Sequence, residues 1–181
     1  MNMFDHTQLN DAAIRAQYER LLRRGASIAE AVHSAYGHNR KPIQMAYAAD
    51  PEFNAFARET DQHYQIHLTS SVPALVMLLF YKLFENPGLM PEISTEGMTA
   101  SDFSLSFIVD PVDFAQRQDW QIKLNRQRAF AARILADICT TFVITHEFGH
   151  IVSGHAEGAN FLEGEPSYME MLAGAPRVPQ V

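Results

Sequence analysis

From about Asn125 to Ser153 or Gly154 the sequence reads as one continuous helix, with Phe130, Ile134, Ile138 and Phe142 repeating every four residues. Nothing else in the chain constrains its fold as strongly. Phe142, Val143, Ile144, Thr145, Phe148, Ile151 and Val152 are uncharged and mostly bulky, so the spacing predicts a helix buried nearly all round, the axle of a core. Near its end stand His146, Glu147, Phe148, Gly149 and His150.

Residues four apart on a helix are separated by about 40° around the axis and ~6 Å along it, so His146 and His150 can share one metal ion. Glu147 lies beside them. From that position it reaches a water at the ion without being a ligand, the arrangement of a zinc-dependent hydrolase. A shuffled chain of this composition would contain the pattern with a probability of roughly 0.02, so the pentad alone is not decisive. The flanks add weight, because two imidazoles and a carboxylate inside an apolar helix carry a desolvation cost that a Zn2+ ion with hydrogen-bonded partners offsets. The ordinary alternative is a pair of core histidines satisfied by carbonyls and a glutamate in a salt bridge.

At 181 residues the chain fits one domain, residues 1–181, with 172–181 as a tail. Apolar residues at 47% and charged residues at 19% are globular values that speak against disorder. The net charge of -7 is spread over both halves, and lysines and arginines form only short groups such as Arg23, Arg24 and Arg40, Lys41, which argues against nucleic acid. Cys139 is the only cysteine, so no intrachain disulfide forms and a reducing compartment is expected. No basic region followed by an apolar run opens the chain. The apolar stretch from Val72 to Phe84 is well short of the ~20 residues that span a bilayer. The expectation is a cytoplasmic protein without a membrane partner.

Upstream, Ile14, Tyr18, Leu21 and Leu22 mark a first helix stopped by Gly25, and Ser27 with Glu30 has the capping-box spacing of a short second helix stopped by Gly37. From Ile43 to Ser70 the period changes. Phe53, Ala55 and Ala57, then Tyr64, Ile66 and Leu68, alternate on either side of Thr60, Asp61 and Gln62, which predicts an antiparallel hairpin. Ser70 or Ser71 starts a helix with Pro73 in its first turn, ending at Asn86, Pro87 and Gly88. Phe103, Leu105 and Phe107 predict a strand, and Asp110 with Pro111 opens a further helical region. The fold class expected is α+β, mostly helical, with a small antiparallel sheet and a long buried helix carrying the pentad.

A buried helix with the pentad, an upstream hairpin and a following loop resemble a minimal zincin. Asn54, Ala55, Phe56 and Ala57, followed by a second strand and a capped helix, resemble the Asn-Ala-Phe-Ala hairpin of gluzincin peptidases. The run from His146 to His155 also looks like the phage-exclusion Lit-type peptidases and related phage and plasmid proteins. The resemblance covers roughly residues 43–155. It implies a zinc metallopeptidase acting on a protein or peptide, in conflict between phage or plasmid and host. His146 and His150 would bind zinc, Glu147 would be general base and then proton donor to the leaving amine, and the strand from about Phe53 to Arg58 would dock the substrate. An ordinary structural hairpin is the alternative for that strand.

The third metal ligand stays open. His155 is nine residues after His146, about 180° round a continuous helix, so it reaches the ion only if the helix breaks at Ser153 and Gly154 and is otherwise expected near the site as a polar neighbour or substrate contact. Gluzincins supply a glutamate from a second helix, and Glu163, Glu165 and Glu170 are the acids available. Glu170 has a gluzincin spacing from His150, but the usual Glu-x-x-Ala-Asp signature is absent and the chain stops at Val181, as expected of a truncated product lacking that ligand. The rival reading is a catalytically impaired zinc-binding or interaction protein on the same fold.

Overall fold

The computed structural model describes residues 2–36, 41–96 and 124–158. A short 3-10 turn, His6–Gln8, precedes helix α1 (Ala12–Tyr36), strands β1 (Ile43–Ala48), β2 (Ala55–Glu59) and β3 (Tyr64–Thr69), and helices α2 (Ser71–Phe84), α3 (Arg126–Val152) and α4 (His155–Gly158). The fold is α+β. Phe103, Leu105 and Phe107, the helical region after Asp110, the stop at Gly37 and the 172–181 tail lie outside the described residues.

The hairpin forms, with Ala55 opposite Leu68 and Ala57 opposite Ile66 in antiparallel register. The sheet is nevertheless mixed, because β1 pairs parallel to β3 in the order β1-β3-β2. Parallel pairing requires the chain to cross from one edge to the other. Residues 49–54 make that crossing over the end of β3, and three buried hydroxyls hold it there. Thr69 Oγ1 donates to the Glu52 carbonyl at 2.6 Å, Ser70 Oγ to Asp50 at 3.0 Å and Ser71 Oγ to Glu52 at 2.5 Å. Among the described residues β2 is thereby an edge strand.

Helix α1 runs unbroken through both segments that the sequence divides. Gly25 is not a cap: it is buried in mid-helix, where an added Cβ would lie 2.1 Å from Met45 Sδ. Close approach to β1, rather than a turn, accounts for glycine there. Tyr18 and Tyr47 lock the two elements, edge to face at 4.9 Å, with the Tyr47 hydroxyl donating to the Tyr18 carbonyl and that of Tyr18 to the Ser70 carbonyl.

α3 begins where expected, with Asn125 Oδ1 accepting from the Arg128 N–H at 3.0 Å, and ends at Ser153. It is not buried all round. Arg128, Ala132, Ala136, Thr140 and Ile144 make one buried stripe, while Phe130, Ile134, Ile138 and Phe142 are exposed, Phe142 at 69%. Small residues let α3 approach α2 closely, and α1, α2 and the sheet all pack on that side. By length and composition α3 is the one helix among the described residues that could cross a bilayer.

Arg128 is fully buried without a described carboxylate partner. Its guanidinium donates instead to the carbonyls of Phe84, Asn86, Pro87, Met90, Ile93 and Ser94, between 3.1 and 3.3 Å. These groups carry the negative end of the α2 dipole and the turns that follow it, so carbonyl dipoles neutralise the charge.

Arg128→Met should lower the unfolding free energy by at least about 3 kcal/mol in urea titration, because several buried carbonyls lose their donor together. Arg128→Lys, with three donors, should recover only part of that. Thr69→Val removes one of the hydroxyls under the crossover and should cost about 1–3 kcal/mol by the same measurement.

Candidate metal centre

The pentad straddles the boundary between the buried and exposed faces of α3. Ile144, Phe148 and Ile151 point into the core and fix the helix, which leaves His146 exposed, Glu147 buried and His150 half-buried. That division follows from 100° per residue: neighbours of an anchored residue fall at the edge of the buried stripe. The ligand-bearing atoms of His146, Glu147 and His150 all lie within 4.8 Å of one another.

The two imidazoles stand edge to face, ring centroids 4.7 Å apart, and their Nε2 atoms are 3.2 Å apart. Two nitrogens ~2.0–2.1 Å from a tetrahedral zinc are themselves ~3.3–3.4 Å apart, so the pair has the separation that a shared ion requires. The donor set, two neutral nitrogens and an adjacent carboxylate, suits Zn2+ as well.

Glu147 faces β2. In the β2-β3 ladder the Thr69 N–H bonds to the Asn54 carbonyl and the Thr60 N–H to the His63 carbonyl, so the N–H groups of Ala55, Ala57 and Glu59 point to the open edge. The Ala57 N–H donates to the Glu147 carboxylate. Burial raises the pKa of this carboxyl above the ordinary glutamate value, against the opposing pull of His150, His146 and the Ala57 N–H. A carboxylate raised in this way is a better proton acceptor than a solvated one. Ala57 closes the Asn54–Ala57 tetrapeptide, but what it contributes here is a backbone group, which no side-chain pattern specifies.

The helix does break where His155 needs it to. Gly154 takes φ 76°, with its N–H bonded to the Ile151 carbonyl, and α4 starts at His155. His155 comes to His150 and not to His146: the Nδ1 atoms of His150 and His155 are 3.2 Å apart. Glu163, Glu165 and Glu170 lie outside the described residues.

No protein-family model, curated protein or solved structure matches the chain.

On the opposite face of the sheet is a histidine that the alternation of Tyr64, Ile66 and Leu68 passes over. His67 is 2% exposed and stacks on Phe56 at 5.1 Å. Its Nε2 meets Gln65 Oε1 at 3.1 Å, an oxygen that also accepts from Arg58 at 2.9 and 2.6 Å. Nδ1 has no hydrogen-bond partner among the described residues. Burial, and then the Arg58 charge, push its pKa down to about 4.

The unfolded chain protonates His67 near pH 6.5, whereas the folded chain resists until about 4. Its contribution is therefore present at neutral pH and is lost as pH falls through that window. The thermal midpoint of the metal-free protein should drop from pH 6.5 to 4 more steeply in the wild type than in His67→Phe. Parallel curves would exclude this role.

Proposed function

We propose that this chain is a zinc metallopeptidase with a zincin-like core, hydrolysing a bond in a protein or peptide. The observation that carries the reading is the 3.2 Å convergence of His146 and His150 Nε2 beside the buried carboxylate of Glu147. His146 and His150 would hold the ion. When bound, zinc supplies Lewis acidity, making a water acidic near neutral pH and polarising a carbonyl.

The chain's own residues do the rest. Glu147, desolvated and oriented by the Ala57 N–H, takes the proton from the attacking water and returns it to the departing amine. Among the described residues β2 is an edge strand beside α3 and α4, and its outward backbone groups, apart from the N–H groups of Ala55 and Ala57 that go to Asn54 Oδ1 and Glu147, are placed to pair with an extended substrate as an added strand. Such pairing would carry the scissile bond past Glu147. Glu163, Glu165 and Glu170 remain the acids available to complete the ligand set. The resemblance to Lit-type peptidases extends the proposal to a cytoplasmic role in phage or plasmid conflict with the host.

A second reading, a zinc-binding interaction protein without turnover, is favoured by one observation. Phe130, Ile134, Ile138 and Phe142 form an exposed apolar ridge of the kind that marks binding surfaces. Catalysis separates the two.

Atomic absorption on the purified chain should find one zinc per molecule, lost in His146→Ala; a folded wild-type chain without zinc overturns the proposal. Glu147→Gln should keep the zinc and lower cleavage of a randomised peptide library by ~10²–10⁴-fold. Equal cleavage by the variant removes Glu147 as base, and zinc without cleavage in the wild type leaves the second reading.

A further inference from the structure

His150 is contacted at both nitrogens. Its Nε2 stands 3.2 Å from His146 Nε2, and its Nδ1 stands 3.2 Å from His155 Nδ1. We infer that His155 is the positioning residue of the metal centre, its Nδ1 accepting the Nδ1–H of His150 and so holding that ring with Nε2 turned towards His146. The inference rests on the reading of His146 and His150 as ligands.

A neutral imidazole that gives one nitrogen to a metal carries its proton on the other, and that N–H needs an acceptor if the ring is to stay in place. Carboxylates, carbonyls and waters usually serve. Here the neighbour at hydrogen-bond distance from Nδ1 is a second imidazole, whose rings lie 5.5 Å apart at 49°, an angle that lets the lone pair of one meet the N–H of the other. Acceptance at Nδ1 places the proton of His155 on its Nε2. His155 is exposed, so that proton has water to bond to.

The same geometry separates His155 from the ligand set. The two nitrogens of one imidazole point in widely divergent directions, so a group on Nδ1 and a group on Nε2 do not meet at one ion. His146 takes the Nε2 side and His155 the Nδ1 side.

The local fold is built for this contact. Five residues along a continuous helix is about 140° of rotation, which would carry His155 away from His150. Ser153 closes α3, Gly154 turns the chain at φ 76°, and His155 opens α4 facing back. A side chain at position 154 is strained in that conformation, so glycine there is part of the device.

The test is zinc affinity by chelator competition on the full chain, with x-ray absorption to count the histidine nitrogens at the ion. His155→Phe cannot accept a proton and should weaken zinc ~10–100-fold with the histidine count unchanged. His155→Gln offers an amide oxygen of similar reach and should restore affinity to within a few-fold of wild type. Gly154→Ala, which displaces His155 without altering it, should weaken zinc like the Phe variant. Affinity unchanged in His155→Phe, or a histidine count lower by one in both His155 variants, overturns the inference while leaving His146 and His150 as ligands. A wild-type chain that binds no zinc overturns the ligand reading and this inference with it.

Discussion

The guanidinium of Arg128 ties the end of α2, the turns after it and the start of α3 into one unit, and the position of everything on α3 depends on that tie. A buried cation without a described carboxylate partner is costly unless its donors are all used, and here six carbonyls take them. The segment from Phe84 to Ser94 has little regular structure of its own to hold it, so the charge organises the loop as much as the loop solvates the charge. From Arg128, the stripe of Ala132, Ala136, Thr140 and Ile144 carries the contact with α2 along the helix to the pentad, ~27 Å away at 1.5 Å per residue. The site is at the far end of a rod clamped at its base.

At that far end the boundary between core and solvent does the chemical sorting. Glu147 falls on the buried side, where desolvation raises its pKa, and His146 falls on the open side, exposed to solvent. His150 lies between. A helix buried all round would have desolvated both imidazoles, and a fully solvated one would have left Glu147 an ordinary surface acid.

Much of this was legible locally. Asn125 and Ser153 bound α3 because capping needs only neighbours along the chain, and the β2-β3 hairpin follows from strict alternation about a polar turn. What escaped depends on contacts distant in sequence. Gly25 looks like a stop until Met45 is seen against it, and the parallel partner of β3 is not visible until the crossover at residues 49–54 brings β1 alongside it. Arg128 carries no sign of its six acceptors, which are backbone atoms. The exposure of Phe130 and Phe142 was hidden for a related reason: their four-residue spacing matches that of the buried stripe half a turn away, and periodicity alone does not say which stripe faces the core.

The contact between Glu147 and β2 has a consequence for how this protein tolerates change. The donor is the amide of residue 57, which every amino acid except proline supplies, so the orientation of the carboxylate is insulated from nearly all substitutions at that position. A scan of side chains along β2 would pass over it without a signal, and sequence drift at Ala57 would erase the visible motif while leaving the interaction intact.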